Sequence, residues 1–252
     1  RPLIRAMIQV IKPEIGETIY DGACGSAGFL CEAFEYLNRD DLSAKDWNTL
    51  QTSTFYGQEK KSLAYVLGLM NMILHGVDAP NIRHTNTLAE NVRDYRQKDL
   101  HDIVLANPPF NISDWGGDRL ADDPRWVYGI PPKGNANFAW VQHFIYHLAP
   151  GGTAGFVLPR RRHHAHVPRA TRARTTMRTG SGTEAPKDRI ADWMSASVLA
   201  ETSWGSVAIP LVRRNTTPTA MSVKIHVWPV RKENAAPGLK CRSKPKTRPN
   251  TG

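Results

Sequence analysis

Residues 17–37 hold the feature that most constrains the fold. Glu17-Thr18-Ile19-Tyr20 has the composition of a short strand, and it runs straight into Asp21-Gly22-Ala23-Cys24-Gly25-Ser26-Ala27-Gly28. Phe29, Leu30, Ala33, Phe34 and Leu37 then recur at helical spacing. Strand, glycine-rich turn, helix is the opening unit of an open parallel α/β sheet. In such a sheet every strand must leave at the same edge, so the chemistry of the chain is expected there.

The rest of the first 158 residues repeats this alternation. Leu3, Ile4, Met7, Ile8 and Ile11 predict an amphipathic helix that Pro13 ends. A polar insertion spans residues 38–52, and a second strand spans 53–59, closing on Glu59. Leu63, Val66, Leu67, Met70, Ile73 and Leu74 form a strong apolar stripe, with Gly76 as the helix stop. A Met-containing stripe of this kind predicts core packing. Residues 81–88 and 101–106 read as strands three and four, 136–148 as a helix and 153–158 as a fifth strand. Between them, residues 112–134 form a long irregular segment rich in Gly, Pro and Trp, a length that implies function or disorder.

Three of these strand ends carry recognisable chemistry. The turn Gly22-x-x-Gly25-x-x-Gly28 is one residue off the dinucleotide pattern, and Asp21 precedes it directly. A carboxylate there would repel a pyrophosphate but suits a ligand with an ammonium group, while glycines leave room against the backbone. Glu59 stands where a carboxylate can accept from both hydroxyls of a ribose. S-adenosylmethionine has both features. A plain strand-to-helix connection and a solvated strand end remain the alternatives. At the end of the fourth strand stands Asn107-Pro108-Pro109-Phe110. The prolines fix the backbone, and Pro108 biases Asn107 towards an extended conformation. An amide acceptor beside an aromatic ring suits a planar ring with an exocyclic amine, although a strand-ending Asn-Pro turn explains the tetrapeptide equally well.

Taken together these segments resemble the adenine-specific DNA methyltransferases, above all the modification subunit of type I restriction-modification systems. The resemblance rests on residues 21–30 as its first motif, Phe55-Tyr56-Gly57-Gln58-Glu59 as the second and residues 81–88 as the third. Asn107-Pro108-Pro109-Phe110 matches its catalytic motif, and Gly134-Asn135-Ala136-Asn137-Phe138-Ala139-Trp140 with Pro150-Gly151-Gly152 continues the pattern. It implies an α/β, Rossmann-like S-adenosylmethionine-dependent methyltransferase fold over residues 1–158, here incomplete. It also implies that Asp21, Ala23, Gly25 and Gly28 surround the methionine end of the cofactor, Glu59 its ribose and Asn86 its adenine, with Ser26 and Leu88 completing the set. Asn107 and the Pro108 carbonyl would accept from the amine of a flipped adenine, Pro109 would hold the turn, and Phe110 would stack on the base. Double-stranded DNA, a specificity subunit and a restriction subunit are the implied partners, and no metal is required. Two positions depart from the family: Gly22 stands where it usually has Pro, and Ala27 where it has Gly, so that a methyl could crowd the cofactor. The residues expected to reach the cofactor carboxylate, and the family's helical N-terminal region, would precede Arg1, which reads as the start of a fragment.

From residue 159 the grammar changes. Residues 1–158 hold 14 Lys and Arg against 18 Asp and Glu, net −4, while residues 159–252 hold 19 against 5, net +14. This second part, basic and of disordered composition towards its end, resembles nothing in the family and reads as a frameshifted or degenerate tail. Only residues 208–212 and 222–230 have strand character, each with a proline, and they are not expected to complete the sheet. His163, His164 and His166 lack partners at ligand spacing, so no metal is expected. Cys24, Cys31 and Cys241 have no framework spacing and read as structural thiols of a reducing cytoplasm. The competing functions are an inactive remnant that binds nucleic acid non-specifically through its basic tail, and an amino-methyltransferase acting on cytosine N4, RNA or a protein glutamine.

Overall fold

The computed structural model describes residues 2–89, 101–157, 207–214 and 221–228. The first helix, α1 (Pro2–Ile11), precedes β1 (Ile19–Asp21), α2 (Gly28–Leu37), α3 (Ala44–Thr52), β2 (Phe55–Glu59), α4 (Ser62–Leu74) and β3 (Asn81–His84). Then follow β4 (His101–Ala106), α5 (Asn137–Tyr146), β5 (Leu148–Phe156), β6 (Val207–Arg214) and β7 (Met221–Trp228). One seven-stranded sheet has the order β3-β2-β1-β4-β5-β6-β7. Strands β1 to β5 pair in parallel, β6 is antiparallel to β5, and β7 is antiparallel to β6. The α/β fold expected from the alternation is therefore present.

Strand β4 is buried on both faces, as its apolar run requires. Ile103 and Leu105 join Ile8, Ile19, Leu30, Phe34 and Phe55 in one cluster. Val104 and Ala106 point the other way, into a cluster with Phe144, Leu148, Phe156 and Val212. The register of β4 against β1 is held by side chains as well as by the ladder. The Asp102 carboxylate accepts from the Thr18 amide and hydroxyl, both at 2.9 Å, and the Thr18 oxygen accepts from the Asp102 amide at 3.1 Å. These bonds fix how far β4 extends before its chain leaves the sheet at Asn107.

Three expectations are changed by the structure. Part of the polar insertion is a helix, α3, started by a reciprocal capping box in which Ser43 and Asp46 satisfy each other's amides. Its composition hides this, because Leu50 is its buried side chain and most of the rest, Ala44 and the exposed Trp47 apart, is polar. The apolar stripe of α4 does not pack into the core. Leu63, Val66, Leu67, Met70, Ile73 and Leu74 are all exposed, whereas Gly68 and Met72 are buried. The helix is apolar on every side, so periodicity could not choose its inner face; close approach did. A Cβ on Gly68 would lie 2.8 Å from the Gly25 carbonyl oxygen of the glycine-rich turn.

The third change concerns the tail. Residues 207–214 and 221–228 pair with each other and extend the sheet beyond β5. Pro210 is tolerated because the pairs between β6 and β5 stop at Leu211, one residue short of it. Strand β4 is thus an interior strand with three strands on its far side. The three histidines, Cys241 and most of the basic segment lie outside the described residues. Among the described residues no helix is long and apolar enough to cross a membrane, and no group of side chains has the arrangement of a metal site.

Replacing Gly68 by Ala should cost about 1–3 kcal/mol of stability, because the new methyl must push α4 away from the turn. Urea unfolding measures this; a curve superimposing on that of the unsubstituted chain would contradict the close approach.

Candidate functional site

Strands β3, β2, β1 and β4 end at one edge of the sheet, and the winding direction reverses between β1 and β4. A crevice outside the strand ends forms at such a point. Beyond the sheet the backbone has no ladder to satisfy it, so the turns there bond to one another. After β1, Asp21 Oδ1 accepts from the Ala23 amide at 3.0 Å and the Ala27 amide donates to the Cys24 carbonyl at 2.7 Å. From β2, the Gln58 carbonyl accepts from the Cys24 amide at 3.1 Å. Glu59 uses one oxygen for the Gly25 amide at 2.9 Å and the other for the Lys61 amide at 2.8 Å. From the loop after β3, the Thr85 amide donates to the Glu59 carbonyl at 3.0 Å and the Thr87 hydroxyl to the Gly22 carbonyl at 2.6 Å.

The residues expected at the cofactor are thereby brought together. Gly25, at a φ of +53° with open space where a Cβ would stand, faces the Glu59 carboxylate. Asn86 lies half-buried between Thr85 and Thr87, the two residues that tie its loop to β2 and to the glycine-rich turn. Ala23 and Gly28 are half-buried, Ser26 is exposed ahead of α2, and Leu88 is buried. Asp21 is set deeper than its neighbours, with 1% of its surface exposed. Burial, opposed by the bond from Ala23 and reinforced by nearby Glu59, pushes its carboxyl up to about 7. Its visible structural work is to hold the turn.

Both departures from the family pattern have a local explanation. Ala27 adopts the left-handed conformation at φ 60° and is fully buried, its methyl lying against Gly68 in the core. The methyl is directed to α4, which carries no side chain opposite it. At Gly22 a Cβ would lie 2.8 Å from the Tyr20 hydroxyl, so the tyrosine occupies the place of a larger residue there.

The Asn-Pro-Pro-Phe segment leaves β4 into the crevice. Asn107 and Pro109 are exposed, Pro108 is buried, and Phe110 is 40% exposed. Among the described residues no donor or acceptor engages the Asn107 amide. The turn behind Phe110 is held by three asparagines: Asn135 and Asn137, which the resemblance included without a role, and Asn111, which no motif marked. Asn111, left-handed at φ 54°, donates its amide to Asn137 Oδ1 at 2.9 Å. Its own Oδ1 accepts from Asn135 and Asn137, both at 3.1 Å. The Asn-x-Asn spacing ahead of α5 was the available signal.

Sequence reasoning also missed a buried polar network beneath the crevice. The Arg125 side chain is wholly buried and grips Asp123 through two parallel bonds, Nε to Oδ1 at 2.9 Å and Nη2 to Oδ2 at 2.8 Å. Its Nη1 donates to the Thr87 carbonyl at 3.1 Å, and Nη2 donates to the Leu88 carbonyl at 2.8 Å. Nη1 also lies 3.1 Å from His143 Nδ1 on α5, and His143 Nε2 is 2.8 Å from the Tyr20 hydroxyl, which donates to Gln58 Oε1 at 2.9 Å. Burial first, then His147, Arg125 and His101, holds His143 well below the usual histidine range, so the ring is neutral. Nothing in the 112–134 composition marks this arginine, since burial of a charge is decided by packing.

The family model for N-6 DNA methylases matches residues 1–163. The chain is 41% identical over 165 residues to the Type I restriction enzyme MjaIX methylase subunit of Methanocaldococcus jannaschii, covering 63% of this chain and 27% of that protein. It is 35% identical to the HindI methylase subunit of Haemophilus influenzae, covering 63% of this chain and 34% of that one. A chain solved in work on complex assembly and conformational transition of the type I R-M system matches with a TM-score of 0.55 and 36% identity, over 64% of this chain and 31% of that one. The chain thus spans about a third or less of the length of these relatives.

The Asp21 carboxyl makes a pH prediction for the cofactor-free chain. Its proton is held to about pH 7 in the folded state but leaves near 3.8 when unfolded. The stability it contributes is therefore full below about 3.8, falls as pH rises towards 7, and is flat above. Asp21→Asn should gain on the unsubstituted chain across that window, by up to about 4 kcal/mol at pH 8. Unfolding curves between pH 4 and 8 measure the difference; a constant offset would contradict the burial of this charge.

Proposed function

The chain belongs to the N-6 DNA methylase family, and from that premise we propose that it is the catalytic part of a type I modification subunit. It transfers a methyl group from S-adenosyl-L-methionine to N6 of adenine in double-stranded DNA. The methyltransferase unit is assigned to residues 1–158. The observation that carries this reading is one of place: an open Asn107 amide and an exposed Phe110 leave β4 at the crevice where Glu59 meets the glycine-rich turn of β1.

The side chains present fit the cofactor. Each Glu59 oxygen accepts one amide bond and keeps a lone pair, so the carboxylate can still receive the two ribose hydroxyls. Gly25 offers bare backbone to the methionine end, Asp21 supports that turn from below, and Asn86 stands on the adjoining loop for the adenine. When bound, S-adenosyl-L-methionine supplies an activated methyl group.

The protein's own contribution is to the acceptor. An aromatic amine is a poor nucleophile because its lone pair is delocalised into the ring. Two acceptors on its N–H bonds, Asn107 Oδ1 and the Pro108 carbonyl, favour a pyramidal nitrogen and localise that pair. The prolines keep both acceptors in place, so little reorganisation is needed when the base arrives. Phe110 offers a ring face for stacking, which requires the base to be turned out of the duplex. A specificity subunit is the expected source of target choice and a restriction subunit the expected further partner, in line with the assembly studied for the related type I system.

The test is retention of labelled S-adenosyl-L-methionine, followed by transfer to DNA with a specificity subunit supplied. Asn107→Ala should retain the cofactor to within about threefold and lose transfer by about 10²–10³-fold. Turnover by Asn107→Ala at the unsubstituted rate would overturn the reading. Retention without transfer in the unsubstituted chain would favour an inactive remnant.

A further inference from the structure

We infer that Arg125, His143, Tyr20 and Gln58 form a positioning network that holds the three cofactor-facing loops in mutual register and links them to the segment carrying Asn107–Phe110. The inference rests on the reading just given and adds residues to it that touch neither cofactor nor base.

The direction of every bond follows from chemistry. A guanidinium has donors only, so His143 Nδ1 must accept from Arg125. That places the ring proton on Nε2, which then donates to the Tyr20 oxygen. The tyrosine proton is consequently free for Gln58 Oε1, the acceptor it reaches at 2.9 Å. The relay runs one way from Arg125 to Gln58, and an apolar side chain at either middle position, Tyr20 or His143, would remove two of its bonds at once.

Its ends coincide with the site. Gln58 precedes Glu59, and its own carbonyl receives the Cys24 amide of the glycine-rich turn. Tyr20 precedes Asp21. Arg125 binds the carbonyls of Thr87 and Leu88, the two residues after Asn86. Thr87 in turn binds the Gly22 carbonyl. Arg125 and Asp123 themselves belong to the segment between Phe110 and α5, so the methyl-donor loops and the acceptor segment share one guanidinium. A buried ion pair of this kind adds little stability over an apolar packing of the same volume, whereas it does select one arrangement of the groups around it.

The experiment uses three variants of the full chain and two readouts. Tyr20→Phe removes the hydroxyl and keeps the ring that stacks on His101. His143→Gln keeps one acceptor and one donor, and His143→Leu keeps neither. Equilibrium binding of S-adenosyl-L-homocysteine, below the unfolding temperature of each variant, should weaken about tenfold for Tyr20→Phe and for His143→Leu, with His143→Gln recovering most of the loss. Amide hydrogen exchange without any ligand should show faster exchange at Gly25 and at residues 85–89 in the same two variants. Unchanged affinity together with unchanged exchange at these amides, in variants that merely unfold at lower temperature, would overturn the inference. If the unsubstituted chain binds no cofactor, the functional reading fails, and the exchange measurement still decides on the network. A His143→Gln variant as impaired in both readouts as His143→Leu would also count against the relay.

Discussion

The site depends on the way parallel strands end. Four of the five parallel strands run out beside the crevice at one edge with no ladder beyond it, and their amides and carbonyls must find partners or remain unpaired. Here each turn is satisfied by the next: Glu59 of β2 by the amide of Gly25 after β1, Gly22 after β1 by Thr87 after β3, and Thr87 and Leu88 by Arg125. The crevice is therefore a closed set of dependencies, not four independent loops. A shift in any turn must be passed on to the others, which is why residues far apart in sequence reach a common geometry.

The same constraint explains positions that look irregular. Ala27 is left-handed and fully buried, a combination that costs about 1–2 kcal/mol relative to glycine in that conformation. It is accepted because the methyl fills core space that Gly68 of α4 leaves open. Gly22 yields its side-chain volume to the Tyr20 hydroxyl, which needs that position to reach both Gln58 and His143. Each departure from the family pattern is thus matched by a neighbour, and neither intrudes on the turn's outer surface.

Much of the fold was legible because periodicity is a direct record of burial. Strands β1, β2, β3, β4 and β5 and helices α1, α2, α4 and α5 fall where alternation and spacing predicted them, with β5 starting earlier than expected. The inner face of α4 was misread, since apolar residues on all sides leave the choice to contact, and contact selected a glycine. Helix α3 carries no apolar stripe that periodicity could detect, since Leu50 is its one buried side chain and its start is set by the Ser43 cap. Strand β6 carries Pro210, and Pro229 directly follows β7, whose own residues do alternate; pairing of β6 with β5, and of β7 with β6, gives both a place.

The chain's own sequence determined the chemistry at the strand ends: a glycine-rich turn after an aspartate, a glutamate closing the second strand, and a rigid Asn-Pro-Pro-Phe closing the fourth. Those features are local, since backbone freedom, a fixed φ and the functional group of one side chain are properties of the residues themselves. Tertiary structure alone decided which of them meet and how they are held. That the Gly25 amide falls on Glu59, that Asp21 is buried deeply enough to hold its proton to about 7, and that Arg125 is closed off from solvent all depend on distances between segments. Periodicity records whether a residue is buried; it carries no record of what it is buried against.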